Sequence, residues 1–172
     1  MPNELTVTLQ IELALRLLLG LVLGAIIGLE REFGRQPAGF RTHSLVALGA
    51  CLFTIVSAYA FLGVGADPTR IAAQVVTGIG FIGAGAVLQY QGHIRGLTTA
   101  ASLWSVAAIG MAAGAGLYVL AVLGTALVLV VLSLLDRVEA YVRHRMGITP
   151  DTLDPHGPAT PRGSEGHMED LE

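Results

Sequence analysis

The chain has 172 residues, of which 53% are hydrophobic and 13% charged, with a formal net charge of −3. Soluble domains carry about 25% charged residues, so this deficit and a mean hydropathy of +0.66 exclude an ordinary water-soluble domain and point to the bilayer. The acidic excess sits near the C-terminus, so the net charge says nothing about a partner, and no basic tract suited to nucleic acid is present.

All ten basic residues are arginine, which reads as genome composition. The single cysteine, Cys51, lies in an apolar run and reads as a small packing residue; it supplies neither a disulfide framework nor a metal cluster. No cleavable signal peptide is expected, because the first apolar run is long enough to span and its basic flank follows it.

A spanning helix needs about 17–25 mostly apolar residues. Three candidates, 11–29, 44–64 and 71–89, follow in order. Residues 97–135 are apolar for twice that length, with Gly114-Ala115-Gly116 near the middle. A glycine turn there predicts two helices, 98–113 and 117–135. The expected fold class is all-α, a polytopic membrane helical bundle of about five transmembrane helices, with four as the competing count.

Five spans place Arg31, Arg35, Arg41, Arg95, Arg137, Arg143 and Arg145 on one side, with only Arg70 outside the spans opposite. The positive-inside rule then puts the N-terminus outside and the C-terminus in the cytoplasm. Residues 136–146 are expected to continue the last helix, laying Val138, Tyr141 and Val142 against the headgroups. The membrane domain is thus 1–146. Residues 147–172, rich in proline, glycine and acid, are expected to form a disordered cytoplasmic tail. His156 and His167 are isolated in it, unlike the clustered ligands of a metal site.

The first helix carries Gly20, Gly24 and Gly28 four apart, a small-residue face suited to close helix contact within one chain or across a dimer. Glu12 and Arg16 are also four apart. They read as a snorkelling interfacial pair or as an entrance feature for cations. Glu30 abuts the glycine face at the membrane edge, where it could pair with Arg31, Arg41 or Arg95 and hold the inner ends of three helices, or contact an ion or ligand.

The third helix places Gly78, Gly80, Gly83 and Gly85 in an apolar segment, after Gln74 and Thr77. Each glycine costs roughly 1 kcal/mol in a soluble helix, but in a membrane it admits a neighbouring helix or makes room beside a cavity. Residues 78–83 match GxGxxG formally, but with no preceding strand the dinucleotide reading fails. The hydroxyls of Thr98, Thr99, Ser102 and Ser105 either bond back to their own helix or line a polar cavity against the third helix. His43 and Ser44 are adjacent and cannot form a dyad along a helix face, and His43 could meet Ser102 or Ser105 only through the tertiary fold. With no nucleophile motif and no HExxH, the chain is not expected to be an enzyme.

GLERE at 28–32, GFRTHSLVALGA at 39–50, RIAAQVVTGIGFIGAGAV at 70–87 and IRGLTTAASLWSVAAIG at 94–110 occur in this order. They resemble the hydrophobic domain of the MgtC/SapB family over residues 11–135. The resemblance implies a bacterial inner-membrane protein linked to growth under magnesium limitation and, in pathogens, to survival inside host cells. It implies action by regulating or contacting other membrane proteins, the bilayer and a homo-oligomer or dimer being the expected partners. The family was once labelled as magnesium transporters. The alternative is therefore a small magnesium or other cation transporter or channel, with a site between the third and fourth helices. No cofactor is expected beyond Mg²⁺ as a ligand or signal.

Family-type positions are Glu30, Arg31, Glu32, Arg41, Thr42, the third-helix glycines, Arg95, Gly96, Thr98 and Thr99. Some members have asparagine at the position of Thr98. Well-known virulence members carry a C-terminal ACT-like domain, where this chain has a short polar tail.

Overall fold

The computed structural model describes residues 6–60, 67, 69–90 and 93–146. Five helices follow in order: α1 (Val7–Phe33), α2 (Phe40–Tyr59), α3 (Arg70–Ala86), α4 (Leu97–Gly114) and α5 (Tyr118–Met146), with strands β1 (Leu88–Tyr90) and β2 (His93–Arg95) between α3 and α4. The chain divides into two units, Met1–Leu135 and Asp136–Glu172. The all-α membrane bundle is therefore the architecture observed. By length and composition, α1, α2 and α4 can each cross a membrane; α3 and the apolar stretch Tyr118–Leu134 are shorter.

Thr6 opens α1 by accepting the Leu9 N–H on its hydroxyl at 3.4 Å. The helix closes in a Schellman turn: Arg35 N–H donates to Glu32 O and Gln36 N–H to Arg31 O. Arg35 takes the left-handed position, at φ 52°, where a Cβ is unfavourable. Arg35→Gly is expected to raise stability by about 0.5 kcal/mol, because relief of that strain exceeds the added freedom of the unfolded chain. Thermal unfolding in micelles measures it.

The second helix starts at Phe40 rather than at residue 44, because the Glu32 carboxylate reaches across the turn. Its Oε2 accepts the Phe40 N–H at 3.1 Å, where an anion meets the positive end of the helix dipole. Residues 61–64, expected to finish this helix, lie outside the described residues. Ahead of α3, the exposed Asp67 accepts both the N–H and the hydroxyl of Thr69, at 2.9 and 2.7 Å. These bonds hold its carboxyl below the usual range.

The third helix ends at Ala86, three residues short of the expected 89, and gives way to a hairpin that the hydropathy did not indicate. Val87 turns extended, at φ −93° and ψ 120°, and Leu88, Gln89 and Tyr90 pair antiparallel with Arg95, Ile94 and His93. The chain then returns through Gly96 at φ 88°, packed so closely on the Ala86 carbonyl that no Cβ fits. Glycine is required there on both counts.

The turn expected at Gly114-Ala115-Gly116 is present. Gly116 N–H donates to Ala113 O and Leu117 N–H to Ala112 O, with Gly116 at φ 80°. This is a second Schellman turn, with glycine at the left-handed position.

The core lies where α1, α2 and α4 meet. Leu23 and Ile27, Ala47, Cys51 and Ile55, and Val106, Ile109 and Ala113 form one buried cluster, joined by Ala121 and Leu132 of α5. Small residues set the helix spacing. A Cβ at Gly24 would stand 2.5 Å from the Ala47 Cβ, and one at Gly28 would stand 2.7 Å from the Phe40 Cα. On the other side of α2, Gly110 lies against the Ala47 carbonyl, and a Cβ at Gly114 would stand 2.7 Å from the Cys51 carbonyl oxygen. In lipid, where apolar surface gains little by leaving its surroundings, such close contact is the main source of helix association.

In the second unit, the helix runs on to Met146 with Val138 and Tyr141 exposed, and Arg145 Nε donates to the Tyr141 hydroxyl at 3.3 Å. Residues 147–172, with the expected tail and its His156 and His167, lie outside the described residues.

Candidate functional site

A buried polar layer crosses the bundle near the α1–α2 turn. Arg31 is only 2% exposed, although it carries a guanidinium. Its Nη1 lies 3.5 Å from the Glu30 carboxylate. Arg31 Nε and Glu30 Oε2 are both buried without a hydrogen-bond partner. The expected Glu30 ion pair therefore forms within α1, with Arg31. Arg41 and Arg95 are exposed and do not tie three helices together through Glu30. A buried ion pair with unmet hydrogen bonds is a poor source of stability, so this layer is a candidate for function.

Beside it, His43 is fully buried between α2 and α4. Its Nδ1 lies 2.9 Å from Gly39 O and its Nε2 3.0 Å from the Ser102 hydroxyl. The tertiary fold thus makes a contact that spacing along the chain could not indicate. Ser102 also donates to Thr99 O at 2.8 Å, and Thr99 is 1% exposed. Ser44 and Ser105 donate back to Phe40 O and Ala101 O within their own helices, as hydroxyls in membrane helices commonly do.

The residues expected to line a polar site between the third and fourth helices differ in exposure. Gln74, Thr77 and Thr98 are exposed, whereas Thr99 and Ser102 are buried. Thr42 is exposed as well, and Glu32 is engaged as the α2 cap. Of the third-helix glycines, only Gly83 packs on another helix, its hypothetical Cβ 3.6 Å from the Ala100 Cβ. A Cβ at Gly78, Gly80 or Gly85 would have nothing within 4 Å among the described residues.

Two apolar grooves flank α3. One, of about 510 Å³, is lined by Val46, Gly49, Phe53, Gln74, Gly78 and Ile82. The other, of about 750 Å³, is lined by residues including Thr54, Ala72, Val76, Trp104 and Met111. Among the described residues, no three His, Cys, Asp or Glu side chains cluster as metal ligands.

At the opposite end of the bundle, Arg16 is neither a simple snorkelling partner nor an open entrance. It pairs with Glu12. It also donates to the Tyr118 and Tyr59 hydroxyls at 3.1 and 3.4 Å and to Gly114 O at 3.0 Å. Its guanidinium lies 5.9 and 5.8 Å from the two tyrosine ring centroids. The available signal was the end of α4, whose last carbonyls need donors.

Comparison with known proteins places these features in a lineage. The MgtC family model matches residues 17–141. The putative magnesium transporter YhiD of Escherichia coli K12 is 52% identical over 111 residues, covering 61% of this chain and 52% of that protein. The protein MgtC of Brucella abortus strain 2308 is 46% identical over 108 residues, covering 63% and 44%. An uncharacterized protein of Haemophilus influenzae is 44% identical over 126 residues, covering 69% and 53%. The chain thus spans about half the length of the curated relatives it matches, and no solved structure matches it. The family model covers well over half of the chain, from the middle of α1 into α5, and on that match the chain belongs to the MgtC family.

Proposed function

We propose that the chain is a multi-pass protein of the bacterial inner membrane, N-terminus outside and C-terminus in the cytoplasm, and that it supports adaptation to low magnesium through contact with itself or another membrane protein. The observation that carries this reading is the outward face of α3. A Cβ at Gly78 or Gly85, seven residues apart and so on one side of the helix, would meet nothing within 4 Å among the described residues, and Gly78 lines the first groove, while the glycines of α1 and α4 are used in packing. A helix that keeps small residues outward leaves its backbone open to close approach by another helix.

Gly78→Leu together with Gly85→Leu is expected to leave unfolding in micelles unchanged and to abolish rescue of a deletion strain in magnesium-depleted medium. Full rescue by this well-folded double variant would refute the contact reading. Transport is the second reading, favoured by the name of the Escherichia coli relative, a putative magnesium transporter. Mg²⁺ dehydrates reluctantly and usually binds through carboxylates, so the exposed Gln74 and Thr77 make a poor site for it. Divalent-cation flux in proteoliposomes above that of empty vesicles would establish transport in place of contact.

A further inference from the structure

The polar layer contains one side chain whose hydrogen bonds cannot all be made in a single neutral state. Gly39 O can only accept, so His43 Nδ1 carries a proton in the 2.9 Å contact between them. Nε2 faces the Ser102 oxygen at 3.0 Å, and the same oxygen lies 2.8 Å from Thr99 O. Serine has one proton to donate. With Nε2 bare, that proton goes either to the imidazole or to Thr99 O. With Nε2 protonated, the ring donates to Ser102 and Ser102 donates to Thr99, and all three bonds hold together.

We propose that His43 and Ser102 form a proton-dependent contact between α2 and α4, in which protonation of Nε2 decides whether the serine hydroxyl points to the imidazole or to its own helix. The charged group facing the ring from α1 is Arg31, which acts on it electrostatically and is paired with Glu30. From α4 the facing groups are Ser102 and Thr99, and from α2 itself Gly39 O. Histidine is the side chain whose charge ordinarily changes between about pH 5 and 8. The contact lies at the same α2–α4 seam that Gly110 and Gly114 bring close, so the proton adjusts how firmly those two helices are joined.

The test is ¹⁵N NMR of the histidine rings in the full chain in micelles. The chain carries His93→Gln, His144→Gln, His156→Gln and His167→Gln, so that His43 is the one ring observed. The expected result is protonation at Nδ1 alone near pH 8 and at both nitrogens at the acid end of a titration carried down to about pH 4. Adding Ser102→Ala removes the acceptor of a charge-assisted bond, and the ring then holds its second proton about threefold less tightly. An unchanging ring across this range, protonation at Nε2 alone near pH 8, or equal or tighter proton binding in the Ser102→Ala chain would each overturn the proposal. Alanine is a good helix former at this site, and the parent chain tests the tautomer without it.

Discussion

Gly24→Leu is expected to destabilise the bundle by about 3 kcal/mol or more, near the upper end of what overpacking costs. Even a single Cβ at Gly24 would stand 2.5 Å from the Ala47 Cβ and 2.8 Å from the His43 carbonyl oxygen. Neither neighbour is the end of a flexible side chain. Ala47 has no rotamer to change, and the His43 carbonyl belongs to the α2 backbone. Moving α2 away is no remedy, because Gly110 of α4 presses the Ala47 carbonyl from the other side. A leucine therefore either separates α1 from α2 or disturbs the α2–α4 seam. Thermal unfolding and yield in micelles measure the loss. Gly80→Leu is the control, since it enters open space on an otherwise comparable glycine and should stay within about 0.5 kcal/mol of the parent, as surface substitutions do. Equal stability of the two variants would show that α1 and α2 do not approach as described.

Arg16→Leu is expected to cost about 2–4 kcal/mol, the range for losing hydrogen bonds from a charged donor and stranding a buried acceptor. The last four carbonyls of α4 are all engaged: Met111 O by Ala115 N–H, Ala112 O by Leu117 N–H, Ala113 O by Gly116 N–H and Gly114 O by Arg16. Three of those partners come from the local turn, and the fourth comes from α1. The guanidinium also places positive charge at the negative end of the α4 dipole. Leucine keeps the apolar bulk but gives up Gly114 O, both tyrosine hydroxyls and the Glu12 pair. Glu12→Gln should cost far less, because Glu12 is half exposed and exposed ion pairs contribute little. Unfolding in micelles ranks the two variants, and a loss from Arg16→Leu no larger than from Glu12→Gln would show that the α4 carbonyl is not held by this arginine.

Apolar runs of helical length, broken by glycine turns and arginine-bearing loops, were enough to place five helices and the α4–α5 joint, because hydropathy and turn chemistry are local properties. The family was legible for a similar reason: its motifs are contiguous stretches that survive without any knowledge of packing. Helix ends were less legible. The start of α2 depends on a carboxylate eight residues away, Glu32 reaching Phe40 N–H, and the end of α3 depends on strand pairing across 88–95.

What the sequence determined by itself was a helical membrane bundle of the MgtC family, with a glycine face on its first helix and four glycines in its third. Only the tertiary structure decided that these two sets of glycines are used differently. Gly20, Gly24 and Gly28 are buried against α2 and the turn leading into it, while a Cβ at Gly78, Gly80 or Gly85 would meet nothing within 4 Å among the described residues. It also decided that Glu30 pairs with Arg31, that His43 meets Ser102 fifty-nine positions away, and that Arg16 caps α4. Spacing along one helix tells which residues share a face. What lies opposite that face depends on how the helices cross, and that is set by close contacts between residues far apart in the chain.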